Sequence, residues 1–165
     1  LVQGVPDGYR ACAGIVLFSR IGQIFLAHRR GMYVEHGWQM PQGGIDQGEE
    51  PLDAAYRELT EETAVTRDRV TLLGAIDRWL VYDFDAHAIK RGKIAAKYRG
   101  QAQRWFAFRL DGPDSLINIE TKDPEFDRWI WTDLNTAVER IVPFKADVYR
   151  EVAAEFMKFS TPDQH

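Results

Sequence analysis

The chain is 165 residues long, with 45% hydrophobic and 12% aromatic content and a formal net charge of −4. Wholesale disorder is excluded at that composition, and a single domain over residues 1–165 is expected. No apolar run approaches the roughly 18 residues of a membrane span, and the opening residues do not read as a leader. The single cysteine, Cys12, cannot form an internal disulfide or a Cys-based zinc site. A soluble, cytoplasmic protein with no membrane partner is therefore expected.

The net charge hides blocks of opposite sign. Residues 43–65 carry −6 and residues 66–110 carry +6, with +2 before them and −6 after. Read as a total, −4 argues against a polyanionic partner. Read along the chain, a concentrated acidic segment followed by a basic one calls for a chemical explanation.

In chain order, the β-branched stretch 12–19 reads as a strand, and Ile21-Gly22-Gln23 as a hairpin turn leading to a second strand at 24–27. Residues 38–40 read as a short strand, and Pro41-Gln42-Gly43-Gly44 as loop. From 51 to 63 the pattern is helical, with Leu52, Ala55, Tyr56 and Leu59 as a core-facing stripe and Pro51 in the first turn. Strands are expected at 70–76, 79–84, 104–110 and 126–131. Residues 85–101 read as a long basic loop, and 145–159 as an amphipathic helix with Val148, Val152, Phe156 and Phe159 on one face. Strands and helices in this mixed order predict an α/β sandwich.

The chemistry concentrates between Gly43 and Val65, GGIDQGEEPLDAAYRELTEETAV. At about 100° per residue, Glu58, Glu61 and Glu62 share one flank of the helix, away from the apolar stripe. A Glu-rich helix is most often a solvated acidic face. Three carboxylates this close repel unless cations lie between them, however, and hard divalent ions such as Mg²⁺ take oxygen ligands and bind substrate phosphates. The same segment resembles the Nudix box, G-x5-E-x7-R-E-U-x-E-E-x-G-U, through Gly43, Glu49, Arg57, Glu58, Leu59, Glu61, Glu62 and Val65. Ala64 departs from the pattern, which has glycine there. It is expected just past the helix, where a left-handed backbone would cost alanine about 1–2 kcal/mol.

The resemblance implies a Nudix-type α/β/α sandwich with a mixed sheet between helices, and hydrolysis of phosphoanhydride bonds with Mg²⁺, for which Mn²⁺ or another divalent cation can substitute. It implies that Glu58, Glu61 and Glu62 are catalytic and hold metal with Gly43, the choice of general base remaining open among the three. Glu49 and Arg57 are implied as an ion pair bracing the loop against the helix. The flanks GYRACAGIVLF, WQMPQGGID, YRGQAQRWF, EFDRWIW and VPFKADVYREV are similar to bacterial RNA pyrophosphohydrolases and dinucleoside polyphosphate hydrolases. That similarity implies Glu125 as a further metal ligand or base, and Arg10, Arg29, Tyr82, Phe144 and Lys145 as the substrate pocket. Two substrates are thus in view, the 5′-triphosphate end of RNA (a step in mRNA decay) and diadenosine tetraphosphate. A non-catalytic nucleotide or RNA-end binder is the alternative outside enzymology, and no required protein partner is evident. Lys90, Arg91, Lys93 and Lys97 are candidates to follow an RNA backbone or to be a solvated loop. His28, His36, His87 and His165 show no metal-ligand spacing, and Cys12 reads as a small buried strand residue.

Overall fold

The computed structural model describes residues 2–33, 35–85 and 97–162. Its centre is a parallel pair, β1 (Tyr9–Phe18) and β7 (Gly100–Leu110), in unbroken register from Tyr9↔Gly100 to Phe18↔Arg109. The free edge of β1 pairs antiparallel with β4 (Gln42–Gly44) at Cys12–Gly14 and with β2 (Ile24–Arg29) at Phe18. Beyond β2 lie β3 (Trp38–Gln39) and β8 (Phe126–Thr132). The far edge of β7 takes β5 (Val70–Ala75) at one end and β6 (Leu80–Asp83) at the other. The starts of β1 and β7 therefore lie beside β4 and β6, and loops and side chains from four strands meet at one end of the sheet.

Both faces of the sheet are covered, as side-chain alternation along β1 and β7 demands. Ala13, Ile15, Leu17, Phe106 and Phe108 pack with Ala55 and Leu59 of α1 (Pro51–Thr63). Val16, Phe18, Trp105 and Ala107 pack on the other side with Leu134 and Ala137 of α2 (Leu134–Arg140) and with Val148, Val152 and Phe156 of α3 (Ala146–Phe156). The expected α/β/α sandwich with a mixed sheet is what forms. No described helix is long and apolar enough to cross a membrane.

The boundaries of α1 follow from its ends. Pro51 occupies the first turn, where its missing N–H leaves nothing unsatisfied. At the other end Ala64 takes φ 65°, ψ 2° and donates its N–H to the Thr60 carbonyl at 2.9 Å. Among the described residues it is the one non-glycine with positive φ.

The structure departs from expectation at four places. Residues 42–44, expected as loop, form β4, because their backbone completes the ladder on β1. The strand expected at 104–110 begins at Gly100, so the last part of the supposed 85–101 loop is sheet. The helix α2 was not expected; Asp133 caps it by accepting from the Thr136 N–H. The expected C-terminal helix is a 3₁₀ turn, α3 and a second 3₁₀ turn in succession. Lys90, Arg91, Lys93, His87 and His165 lie outside the described residues.

Because Ala64 holds a left-handed conformation, Ala64→Gly should stabilise the fold by about 1 kcal/mol. Urea denaturation checks this, and an unchanged or lower midpoint would contradict it.

Candidate active site

The site is organised around Arg57. Its Nε and Nη2 donate to the two oxygens of Glu49, each at 2.9 Å, and Nη2 also donates to the Gly44 carbonyl at 2.8 Å. Nη1 turns the other way, to Glu58 at 2.9 Å and Glu61 at 3.2 Å. One planar guanidinium thus joins the turn before α1, strand β4 and the acidic flank of α1. Its hydrogen bonds hold the Glu49 carboxyl below the usual glutamate range.

The acidic flank is graded in exposure. The Glu61 side chain is 58% exposed and that of Glu58 13%, whereas Glu62 is buried at 6%. The Glu58 carboxyl lies against Gly43, where a Cβ would come within 2.1 Å of it, so any larger residue would force the carboxylate to move. Burial raises the Glu58 carboxyl despite Arg57. Burial also raises Glu62 well above the ordinary range, and repulsion from Glu58, Glu125 and Glu61 adds to it, against a backbone hydrogen bond from Gln42. Oε2 of Glu62 is buried with no hydrogen-bond partner among the described residues.

Facing this floor is a wall of cations. Lys145 is 9% exposed, and burial and the charge of Arg29 push its ammonium down to about 8. Arg29 stands 3.5 Å from Glu125, and the Arg10 guanidinium lies over Gly44, where a Cβ would approach it to 2.5 Å. Floor and wall share one cleft of about 1060 Å³.

Of the residues singled out in the sequence, Arg10, Arg29, Gly43, Glu58, Glu61, Glu62, Glu125 and Lys145 all line this cleft. Glu49 and Arg57 brace it from below. Tyr82 and Phe144 do not line it; their rings, 5.7 Å apart, stand behind Lys145, whose Nζ is 5.4 Å from the Tyr82 ring. Gln42, Thr60, Gln101 and the segment 121–123 also line the cleft, and sequence reasoning missed them. Their neighbours Gly43, Glu61 and Glu125 were visible as motif positions; these were not, because their places depend on strand register and loop path. Cys12 is fully buried, and its thiol is pushed up to about 11 by burial. His28, buried at 2%, pairs with Asp127 at 3.0 Å, away from the cleft lining.

A family model described as the NUDIX domain matches residues 8–152. The chain belongs to the NUDIX domain family. It is 47% identical over 160 residues to the RNA pyrophosphohydrolase of Rhodospirillum rubrum, covering 96% of this chain and 92% of that protein. It is 44% identical to the one from Acidiphilium cryptum, covering 94% of each. Among solved structures, the Escherichia coli dihydroneopterin triphosphate pyrophosphohydrolase superposes with a TM-score of 0.65 at 17% identity, covering 90% of this chain and 99% of that one. The Caenorhabditis elegans Ap4A hydrolase binary complex gives 0.60 at 20% identity, covering 89% and 98%. At these identities the structural likeness concerns the fold.

NUDIX proteins generally work with a divalent metal. The residues here fit one. The donors are hard carboxylate oxygens, one buried oxygen of Glu62 lacks a partner, and the carboxylates of Glu58, Glu61 and Glu125 all raise the proton affinity of Glu62. Among the described residues no three such side chains are already arranged around one ion position, and Arg57 engages Glu58 and Glu61.

The Glu49–Arg57 pair has a pH signature. With its folded pKa lowered, Glu49 contributes stability above its unfolded pKa, near 4.3, and loses it as pH falls through the folded value. Glu49→Gln should cost about 1–3 kcal/mol at neutral pH, and the deficit should shrink as the medium is acidified. Urea unfolding of both proteins across pH measures this; a deficit independent of pH would contradict it.

Proposed function

We propose that the chain is a Mg²⁺-dependent hydrolase of phosphoanhydride bonds. The substrate we infer is the triphosphorylated 5′ end of RNA, which it shortens to a 5′-monophosphate with release of pyrophosphate. The observation that carries this reading is the meeting of four glutamates with Arg10, Arg29 and Lys145 in one cleft. A polyphosphate is the ligand that needs both. Its oxygens suit the cationic wall, and its reacting phosphorus must lie where water and a carboxylate base can reach it. Identity of 43–47% over most of the chain to proteins named RNA pyrophosphohydrolase supports RNA as the substrate, and with it a cytoplasmic setting.

In this reading Arg10, Arg29 and Lys145 bind and orient the phosphate chain. Lys145, buried and with its proton held less tightly, gains an anionic partner on substrate binding. One carboxylate among Glu58, Glu61, Glu62 and Glu125 accepts the proton of the attacking water. The water oxygen bonds to phosphorus, and the anhydride oxygen leaves with its electron pair on the pyrophosphate. Glu58, Glu61, Glu62 and Glu125 are the residues that would hold Mg²⁺, with Gly43 keeping the space beside Glu58 open. When bound, the ion neutralises phosphate charge and makes the water more acidic. Tyr82 and Phe144 back the pocket and keep Lys145 in place.

Dinucleoside tetraphosphates present the same sequence of base and phosphate chain, so the cleft suits them too. The non-catalytic alternative is disfavoured by the intact set Glu58, Glu61 and Glu62. Glu61→Gln and Glu62→Gln should each lower kcat by about 10²-fold or more with Mg²⁺. Near wild-type turnover by either variant would overturn the chemistry. A side-by-side assay of 5′-triphosphate RNA and diadenosine tetraphosphate should give a higher kcat/KM for RNA. A preference for the dinucleotide by more than about tenfold would reverse the substrate order.

A further inference from the structure

The first half of β7 carries a chain of hydrogen bonds whose direction is fixed at its inner end. Trp105, fully buried, donates Nε1–H to Oε1 of Gln103 at 3.0 Å. Gln103, 2% exposed, donates Nε2 to Oε1 of Gln101 at 2.9 Å. An indole nitrogen can only donate, so Gln103 must present its oxygen to Trp105 and its NH₂ to Gln101. Gln101 must in turn use its oxygen inward, which leaves its NH₂ outward. Among the described residues that NH₂ donates to nothing, and Gln101 lines the cleft.

The inner end is held rigidly. Trp105 packs over Gly14 of β1, where any Cβ would come within 2.5 Å of the indole, and its ring meets Tyr149 edge-on at 5.6 Å. Spacing of i, i+2, i+4 puts the three side chains on one face of β7. In the sheet, Gln101 lies between Arg10 on β1 and Tyr82 on β6.

We propose that Gln101 is a substrate-binding residue whose amide NH₂, oriented by the Gln103–Trp105 relay, donates to a phosphate oxygen. The ligand chemistry follows from its surroundings. Arg10, Arg29 and Lys145 are donors only, and the relay turns an ambivalent amide into a fourth donor beside them. A base edge offers donors and acceptors in alternation, whereas a phosphate chain offers acceptors alone. The assignment rests on the reading of the cleft as a polyphosphate site.

Two near-isosteric changes test it. Gln101→Met removes the donor. Gln103→Glu leaves an acceptor-only group for Trp105, so Gln101 must turn its NH₂ inward and its carbonyl to the cleft. Each should lower kcat/KM on 5′-triphosphate RNA about tenfold, mainly through KM, with kcat within about threefold. Because both act on one contact, the double variant should fall no more than about threefold below Gln101→Met. Gln101→Met within about twofold of wild type, or losses that multiply in the double variant, would overturn the proposal. Calorimetric binding of inorganic tripolyphosphate gives a second readout, independent of turnover and of whether Gln103→Glu folds. Binding should be about tenfold weaker for Gln101→Met, and equal binding overturns the assignment. Wild-type protein that binds tripolyphosphate with this dependence yet leaves RNA intact would sink the proposed function and keep Gln101 in its role. Wild-type protein that does not bind tripolyphosphate sinks both.

Discussion

The Arg57 guanidinium is the constraint on which the site depends. It occupies both oxygens of Glu49, the Gly44 carbonyl and two carboxylates of α1 at once. Glu49 and Gly44 fix the position of the glycine-rich turn relative to the helix, and Glu58 and Glu61 share the remaining nitrogen of the same guanidinium. A lysine would carry the charge without the fork, and could not hold a bidentate carboxylate and the flank of α1 together. The −6 block of residues 43–65 is folded around its one cation.

That geometry accounts for two groups that would otherwise be liabilities. Glu62 is buried with an unpartnered oxygen, and Lys145 is buried beside Arg29. Isolated buried charges are destabilising, and proteins keep them where a ligand completes the arrangement. Among the described residues Glu62 has no cation paired with it and Lys145 no anion. A metal–polyphosphate complex supplies both in a single ligand. The sheet brings the two halves together because β4 and β6 flank the starts of β1 and β7 at the same end.

The parts of the fold and site that were legible in the sequence were those encoded by neighbours along the chain. Pro51, the stripe of Ala55 and Leu59, and the run Glu58 to Glu62 all sit within one helix, so helical period alone places them. The position of Ala64 was legible from its departure from the glycine pattern, and its φ of 65° matches that expectation. What was not legible depends on partners distant in sequence. Strand β4 is made of Gln42, Gly43 and Gly44, poor strand formers held by the ladder on β1. The start of β7 is defined by Tyr9 and Asp83, not by its own composition. Gln101 and Gln103 look like polar residues at a loop end until the register puts them in line with Trp105. Helix α2 carried a readable cap at Asp133, but its seven residues give too little periodicity to see.

The central claim is that the carboxylate cluster of Glu58, Glu61, Glu62 and Glu125 is assembled to receive a divalent cation. Thermal unfolding of the protein without substrate, with and without millimolar Mg²⁺, tests it most directly. A cation that binds the folded state alone must raise the melting temperature as its concentration rises. Wild-type protein should show that rise, and Glu62→Gln should lose most of it. A melting temperature indifferent to Mg²⁺ in the wild type, or a rise of equal size in Glu62→Gln, would contradict the account.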